Sequence, residues 1–345
     1  LDVEARRRGN SVYLPDRVIP MLPEQLANGV CSLRPDEDRL TLSVFMNVDG
    51  RGAMTGWRFA KTVIRSCRRL TYEQAMEVVR NGRGGDIATP AVTELLQELH
   101  ALSQQFRKRR FAEFALDLDM PECEVLLGAD SLISGIRIVP NDPSHQLVEE
   151  CMVAANEAVA TAVARHGWPL ISRLHETPAP AKIEELTADL IRMGYRPGDL
   201  KHRRNMANFL KTIKDDPLAF HVRVAVLRSM KRAVYSAEAR GHYGLAKENY
   251  AHFTSPIRRY PDLTLHRQLA ALIGGAGSGP YGRDELVKIG LDCSETELKA
   301  DQAERDILEI KKYRYLEQEM KTPERDRPVR DAVVVSVTRY GLFVE

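Results

Sequence analysis

Several things are scarce in this sequence, and each scarcity excludes a class of protein. Cysteine is one: Cys31, Cys67, Cys123, Cys151 and Cys293 are scattered through 345 residues without a CxxC pair. An odd, dispersed set argues against a disulfide framework or a thiolate zinc site, and for a reducing, cytoplasmic setting. No apolar run reaches the roughly 18 residues of a membrane-spanning helix, because Arg or Gly interrupts every candidate. Charge of one sign is not in excess either, since Lys+Arg 50 against Asp+Glu 48 leaves only +2. That balance excludes a uniformly basic nucleic-acid coat but permits a basic groove. The nine histidines contain no HxxxH pair that could clip a metal on one helix face. What is present, 43% hydrophobic and 28% charged residues, matches a globular protein of two or three domains.

The chain opens on Leu1-Asp2-Val3-Glu4, which is neither an initiator Met nor a signal peptide, and stops at Glu345 within a strand pattern. It is expected to be a piece of a longer protein. Ala5 to Pro23, punctuated by Gly9, Pro15, Pro20 and Pro23, predicts an extended, irregular arm. Leu40, Leu42, Val44, Met46 and Val48 alternate on one face of a strand, Asp49 to Gly52 supplies a turn, and Trp57 to Ser66 returns. A second hairpin is expected through Ala115–Asp119 and Glu124–Leu127, with Ile133 to Val139 following. Helical patterns cover Tyr72–Asn81 and Ala91–Phe111. Beyond Ser144, which can cap a helix to about His166, the pattern is mostly helical. Thr254-Ser255-Pro256 reads as one helix start and Ser294-Glu295-Thr296-Glu297 as a capping box for another reaching Met320. Lys321 to Arg330 is a linker, and Asp331 to Glu345, with Val333, Val335 and Val337 alternating, begins a second β-domain.

The densest candidate chemistry lies in His252 to Asp262. Arg258 and Arg259, placed at a helix start, would set guanidinium forks beside backbone N–H groups, an arrangement suited to phosphate. The alternative is that both are exposed or paired with Asp262. Glu149, Met152, Val153 and Asn156 share a helix face, where the carboxylate and amide face either a polar ligand or neighbouring backbone. Tyr13 and Tyr72 are either base-stacking or structural aromatics. Glu304 lies in a charge run that by itself reads as a solvated face. The basic clusters Arg6–Arg8, Arg68-Arg69, Arg107–Arg110, Arg203-Arg204 and Lys311-Lys312 are spread among acids, which suggests a folded groove or local patches.

Four segments in this order, Asn10–Leu33 (NSVYLPDRVIPMLPEQLANGVCSL), Leu147–Asn156 (LVEECMVAAN), His242–Arg267 (HYGLAKENYAHFTSPIRRYPDLTLHR) and Gln302–Asp306 (QAERD), resemble the catalytic RNB domain of the ribonuclease II superfamily, and within it the bacterial ribonuclease R branch. The resemblance spans almost the whole chain. It implies an α+β catalytic domain over residues 1–322, followed by a linker and the first strands of an OB-fold RNA-binding domain over 323–345. It also implies processive 3′-to-5′ degradation of RNA to nucleoside monophosphates by Mg2+-assisted hydrolysis. The implied partners are single-stranded or structured RNA, with ribosomes or RNA-decay proteins as further candidates. Arg258 then steadies the scissile phosphate and Glu304 is a carboxylate of the catalytic pocket. Tyr13 stacks near the terminal base, Tyr72 contacts RNA, Glu149 meets the ribose, and Arg259 joins the RNA-binding set. Leu118 falls where some members place a clamping Phe.

The family's clustered metal-binding aspartates belong to a motif upstream of Leu1. Asp36/Asp38 and Asp117/Asp119 read as solvated acids in a turn and a hairpin. Magnesium ligands are therefore expected outside this chain, which alone is expected to be inactive. The rival reading is a non-catalytic RNA-binding or regulatory relative that has lost the aspartates.

Overall fold

Two-stranded ribbons alternate with long amphipathic helices along the chain, which is an α+β fold. The computed structural model describes all residues except 119, 121, 129–132, 140, 239, 328, 330, 331, 333 and 345. Asp119, Arg330, Asp331, Val333 and Glu345, named in the expectations above, lie outside the described residues.

The N-terminal arm is not irregular throughout. It begins with helix α1 (Asp2–Arg8), where the Glu4 carboxylate accepts from Arg7 and Arg8, and where Ala5 is buried. The prolines lie beyond it and so do not prevent this one. Gly9, at φ 70°, ends the helix; a Cβ there would stand 2.0 Å from Thr296 Oγ1, so only glycine lets the arm approach so closely. Strands β1 (Val12–Tyr13) and β2 (Val18–Ile19) then form a short antiparallel pair.

Strands β3 (Asp38–Val48) and β4 (Met54–Arg65) form the expected long hairpin, with Val44 opposite Phe59. Asp49 Oδ1 closes the turn by accepting from the backbone N–H groups of Arg51 and Ala53 at 2.9 and 2.8 Å. Helix α2 (Tyr72–Asn81) starts with a capping box between Thr71 and Gln74, and α3 (Pro90–Ala112) carries Pro at its start. The second hairpin differs from expectation: β5 (Glu122–Leu127) pairs with β6 (Ile133–Val139). Ala115 and Leu116 are consecutive and both buried, which an alternating half-buried strand does not allow. Leu116 joins a helical cluster and donates its N–H to Gly244 O.

Helix α4 (Pro143–Arg165) is capped by Asp142, not Ser144, because Pro143 occupies the first helical position and leaves its predecessor extended. Next come β7 (Ser172–Leu174), α5 (Pro180–Arg192), α6 (Arg203–Thr212), α7 (Ala219–Ser229) and β8 (Val234–Ser236), with β8 pairing to β7. Helix α8 (Tyr260–Ile273) precedes the long α9 (Arg283–Met320). Ser294 is therefore inside α9 rather than at its start. Its hydroxyl donates back to Gly290 O and accepts the Tyr235 N–H, tying β8 to the helix. β9 (Val334–Thr338) and β10 (Gly341–Val344) close the chain as an antiparallel pair.

Three apolar clusters position the site. One joins Ala5, Met21 and Leu22 of the arm to Leu286, Ile289 and Cys293 of α9 and to Tyr235 and Tyr260. The second packs Val159 and Val163 of α4 against Leu265 and Leu269 of α8, with Leu42, Val44 and Phe59 of the β3–β4 hairpin alongside. The third is built by α5, α6 and α7, and Leu118 packs against it as an aliphatic filler. Fully burying a side chain such as Leu286 or Ile289 is worth about 1.5–3 kcal/mol, so the arm is firmly joined to α9.

Candidate functional site

The arm is laced to the turn before α8 by backbone hydrogen bonds. Ser11 N–H donates to Arg258 O at 3.0 Å, and Tyr260 N–H donates to Gly9 O at 2.8 Å. The turn itself is not the helix start suggested by Thr254-Ser255-Pro256. Ser255 O accepts from the N–H groups of Arg258 and Arg259, Arg259 is the extended residue that precedes α8, and the helix begins at Tyr260. Asp262, in the first turn of α8 and fully buried, reaches back to accept the Ser255 N–H at 2.8 Å. Arg258 thus stands ahead of the helix, and any hold on an anion comes from its guanidinium rather than from helix N–H groups.

The adjacent arginines have opposite fates. Arg259 is largely buried and bidentate on Asp262, at 2.9 Å through Nε and 2.7 Å through Nη2. Arg258 is exposed, and among the described residues no carboxylate pairs with it. Its guanidinium carbon lies 5.9 Å from the ring centroid of Tyr13, itself 45% exposed. Across the cleft, the Glu304 carboxylate accepts the backbone N–H of Tyr13 at 2.7 Å. Arg258, Arg259, Tyr13 and Glu304, drawn from three distant parts of the chain, line one cleft of about 250 Å³.

A second cleft of about 560 Å³ shares Tyr13, Asp301 and Glu304 with the first and is bordered by Glu124 of β5. A third of about 840 Å³ shares Glu124 and contains Tyr72 and His145. The second cleft is thus the neighbour of both the others, through Tyr13, Asp301 and Glu304 on one side and Glu124 on the other. Glu149 does not line these clefts; its carboxylate accepts from Arg110 at 3.0 Å on α4. The other polar member of its expected face, Asn156, is structural: it donates to Tyr250 Oη and accepts the Phe253 N–H.

Cys293, Tyr235 and His252, around the first cleft, are poor proton carriers. Burial pushes the Cys293 thiol up to about 12, and burial likewise raises the Tyr235 hydroxyl. His252 is pushed well below the usual imidazole range by burial, then by Arg259. These three groups stay neutral near pH 7.

Nor do the carboxylates fit a magnesium ion. Glu297 pairs with Arg173, Asp301 with Arg232, and Glu304 with Tyr13 N–H, so they diverge instead of presenting converging oxygens. Among the described residues no group of three or more His, Cys, Asp or Glu could hold a metal. Asp38 is on the surface with Arg65, and Asp117 lies 3.7 Å from Arg107, away from the cleft. Two of the basic clusters are largely neutralised: Arg6 pairs with Asp292, Arg7 and Arg8 with Glu4, Arg109 with Glu113 and Arg110 with Glu150.

Sequence reasoning missed Asn10 and Tyr235 as walls of the cleft, and also Asp301 and Glu297. The last two stand one and two turns before Glu304 on α9, so their i, i+4, i+7 spacing was an available signal.

Known proteins share this sequence and fold. The model of the RNB domain family matches residues 1–275. Ribonuclease R of Escherichia coli (strain K12) is 37% identical over 356 aligned positions, covering all of this chain and 43% of that protein. The chain therefore spans less than half the length of this curated relative. Mycoplasma genitalium RNase R, in its apo form, superposes with a TM-score of 0.88 at 27% identity, covering 99% of this chain and 54% of that one. The same protein in complex with ribose methylated single-stranded RNA gives 0.87, again at 27% identity over 99% and 54%. Yeast Ssd1, described as a pseudonuclease, shares the fold at TM-score 0.71 and 22% identity, over 89% of this chain and 38% of that one. Among the described residues no helix is long and apolar enough to cross a membrane. By its motifs, fold and relatives, the chain belongs to the RNB domain family of the ribonuclease II superfamily, and is similar to bacterial ribonuclease R.

Proposed function

We propose that the protein carrying this chain is a processive 3′-to-5′ exoribonuclease that releases nucleoside monophosphates, and that this chain holds the RNA strand and its scissile phosphate. The observation that carries this reading is Arg258, a guanidinium with no carboxylate partner among the described residues, facing the Tyr13 ring across a cleft walled by Glu304. A planar fork there grips a phosphodiester and offsets the charge that builds as its phosphorus is attacked. Tyr13 stacks the terminal base and Glu304 holds the Tyr13 strand in place. Arg259, offset by Asp262, fixes the turn and borders the bound strand. Tyr72 contacts RNA in the cleft it lines with His145, and Glu149, outside that cleft on α4 and held by Arg110, meets a ribose hydroxyl. Glu149 thereby helps to favour RNA over DNA.

Magnesium is the expected metal, held by side chains other than these, and the 345 residues alone do not hydrolyse RNA. Residues 1–322 form the catalytic domain; 323–345 are a linker and the first strands of an OB-fold RNA-binding domain. The setting is cytoplasmic. Structured as well as single-stranded RNA is a substrate, and ribosomes or RNA-decay proteins are further partners.

The test is to incubate the full-length protein with uniformly labelled single-stranded RNA and Mg2+. Nucleoside monophosphates should appear without a ladder of intermediate lengths. Internal cleavage products would overturn the reading. RNA binding with no hydrolysis under any divalent metal would support the rival, a non-catalytic RNA-binding relative. What favours that rival is the divergence of Glu297, Asp301 and Glu304.

A further inference from the structure

The starts of α2 and α4 meet at a pair of stacked rings. Tyr72 is the first residue of α2, and its backbone is held by the Thr71–Gln74 capping box. His145 lies in the first turn of α4, three residues after the capping Asp142. Their ring centroids are 3.9 Å apart and the planes differ by 18°. Asp142 Oδ1 accepts from Ser144 N at 2.9 Å and Ser144 Oγ at 2.5 Å, and it lies 2.9 Å from His145 Nδ1. Burial pushes the Asp142 carboxyl up, but these hydrogen bonds outweigh burial and hold it below its usual value, so it stays an acceptor. A carboxylate only accepts, so Nδ1 carries the proton and the plane of the imidazole is set.

The consequence falls on Tyr72. One face of its ring is covered by His145, while the side chain remains 45% exposed to the cleft it lines. Glu149 follows His145 by one helical turn on the same side of α4, and its own carboxylate is fixed by Arg110. Tyr72 and Glu149 are therefore carried on one support, made of two capped helix starts and two anchored side chains.

We infer that His145 is a positioning residue for RNA: held by Asp142, it closes one face of Tyr72 and presents the open face and hydroxyl to the strand beside Glu149. This rests on the reading above that Tyr72 touches RNA, and it adds a residue and a mechanism to it. A side chain that sets the pose of a contact contributes by preorganisation, so its loss weakens binding without altering the reacting atoms.

The experiment is a double-mutant cycle in the full-length protein, with KM and kcat measured on single-stranded RNA. His145→Ala should raise KM about threefold to tenfold with kcat unchanged, the scale expected for one lost aromatic stack. His145→Phe keeps the stack without the Asp142 bond and should recover most of the loss. In a Tyr72→Ala background, His145→Ala should cost nothing further. Equal losses from His145→Ala in both backgrounds, or His145→Phe as damaging as His145→Ala, would overturn the inference by marking a general structural role. If Tyr72→Ala weakens RNA use and His145→Ala does not, the inference alone fails. If Tyr72→Ala changes nothing, the reading of Tyr72 as an RNA contact fails, and the inference with it.

Discussion

Glu304, on α9, accepts the backbone N–H of Tyr13 at 2.7 Å and so ties together residues 291 apart in the chain. The bond is charge-assisted and holds the N-terminal strand pair by its backbone, leaving the tyrosine ring free. Glu304→Gln retains an acceptor and should keep RNA affinity nearly intact, whereas Glu304→Ala releases the strand. Coupling between Glu304→Ala and Tyr13→Ala of about 1–2 kcal/mol in RNA binding is expected. Additive losses would show that the two residues act separately.

Tyr13 itself should act through its ring. In the full-length protein Tyr13→Ala should weaken single-strand binding by about 1–3 kcal/mol. Tyr13→Phe should cost much less, since it keeps the stacking face and the contact with Arg258. Equal losses in a titration with labelled RNA would assign the effect to the hydroxyl.

Asp262 has no exposed surface and carries three interactions: two with Arg259 and one with the Ser255 N–H. Asp262→Ala leaves a largely buried guanidinium without its counter-charge and should cost about 3–5 kcal/mol of stability by urea unfolding. A loss below about 1 kcal/mol would mean that water already supports the pair.

Acid should destabilise the fold through its buried imidazoles. Burial, then the neighbouring His175 and Arg173, lower His242 from an ordinary 6.5 to about 3. The folded state holds His242 neutral, while the unfolded chain protonates it below about pH 6.5. Its contribution is therefore present above that pH and lost as pH falls toward 3, at roughly 1 kcal/mol per pH unit. His242→Asn keeps an acceptor for the Leu245 N–H and removes the titration, so stability between pH 6.5 and 4.5 should fall less steeply. An unchanged slope would place the acid sensitivity elsewhere.

Local pattern made much of this molecule legible. The β3–β4 hairpin, α2 and α3 follow from alternation, a turn and capping residues close in sequence. The misreadings share a cause, which is that a distant partner decides the local outcome. Ser294 looks like a cap until Tyr235 N–H is seen to use its hydroxyl. Pro256 looks like a helix start until Asp262 is found holding the turn open at Ser255. Arg258 and Arg259 are adjacent and chemically identical, and only the packing of α8 decides which is neutralised. The resemblance of short motifs pointed to Tyr13, Arg258, Arg259 and Glu304, which the fold brings into one cleft. It gave no hint of His145, whose role arises from a ring 73 positions away.

The claim that Arg258 holds the scissile phosphate is tested most directly by comparing Arg258→Lys with the unaltered full-length protein, measuring single-turnover cleavage and RNA affinity side by side. Lys keeps the charge and loses the two-pronged geometry. Turnover should fall by about a hundredfold or more, the scale of losing one preorganised charge-stabilising donor, with RNA affinity nearly unchanged because the remaining contacts still hold the strand. Arg258→Ala should be at least as severe. Full turnover in Arg258→Lys, or losses confined to affinity in both variants, would contradict the account and reduce Arg258 to a general phosphate contact.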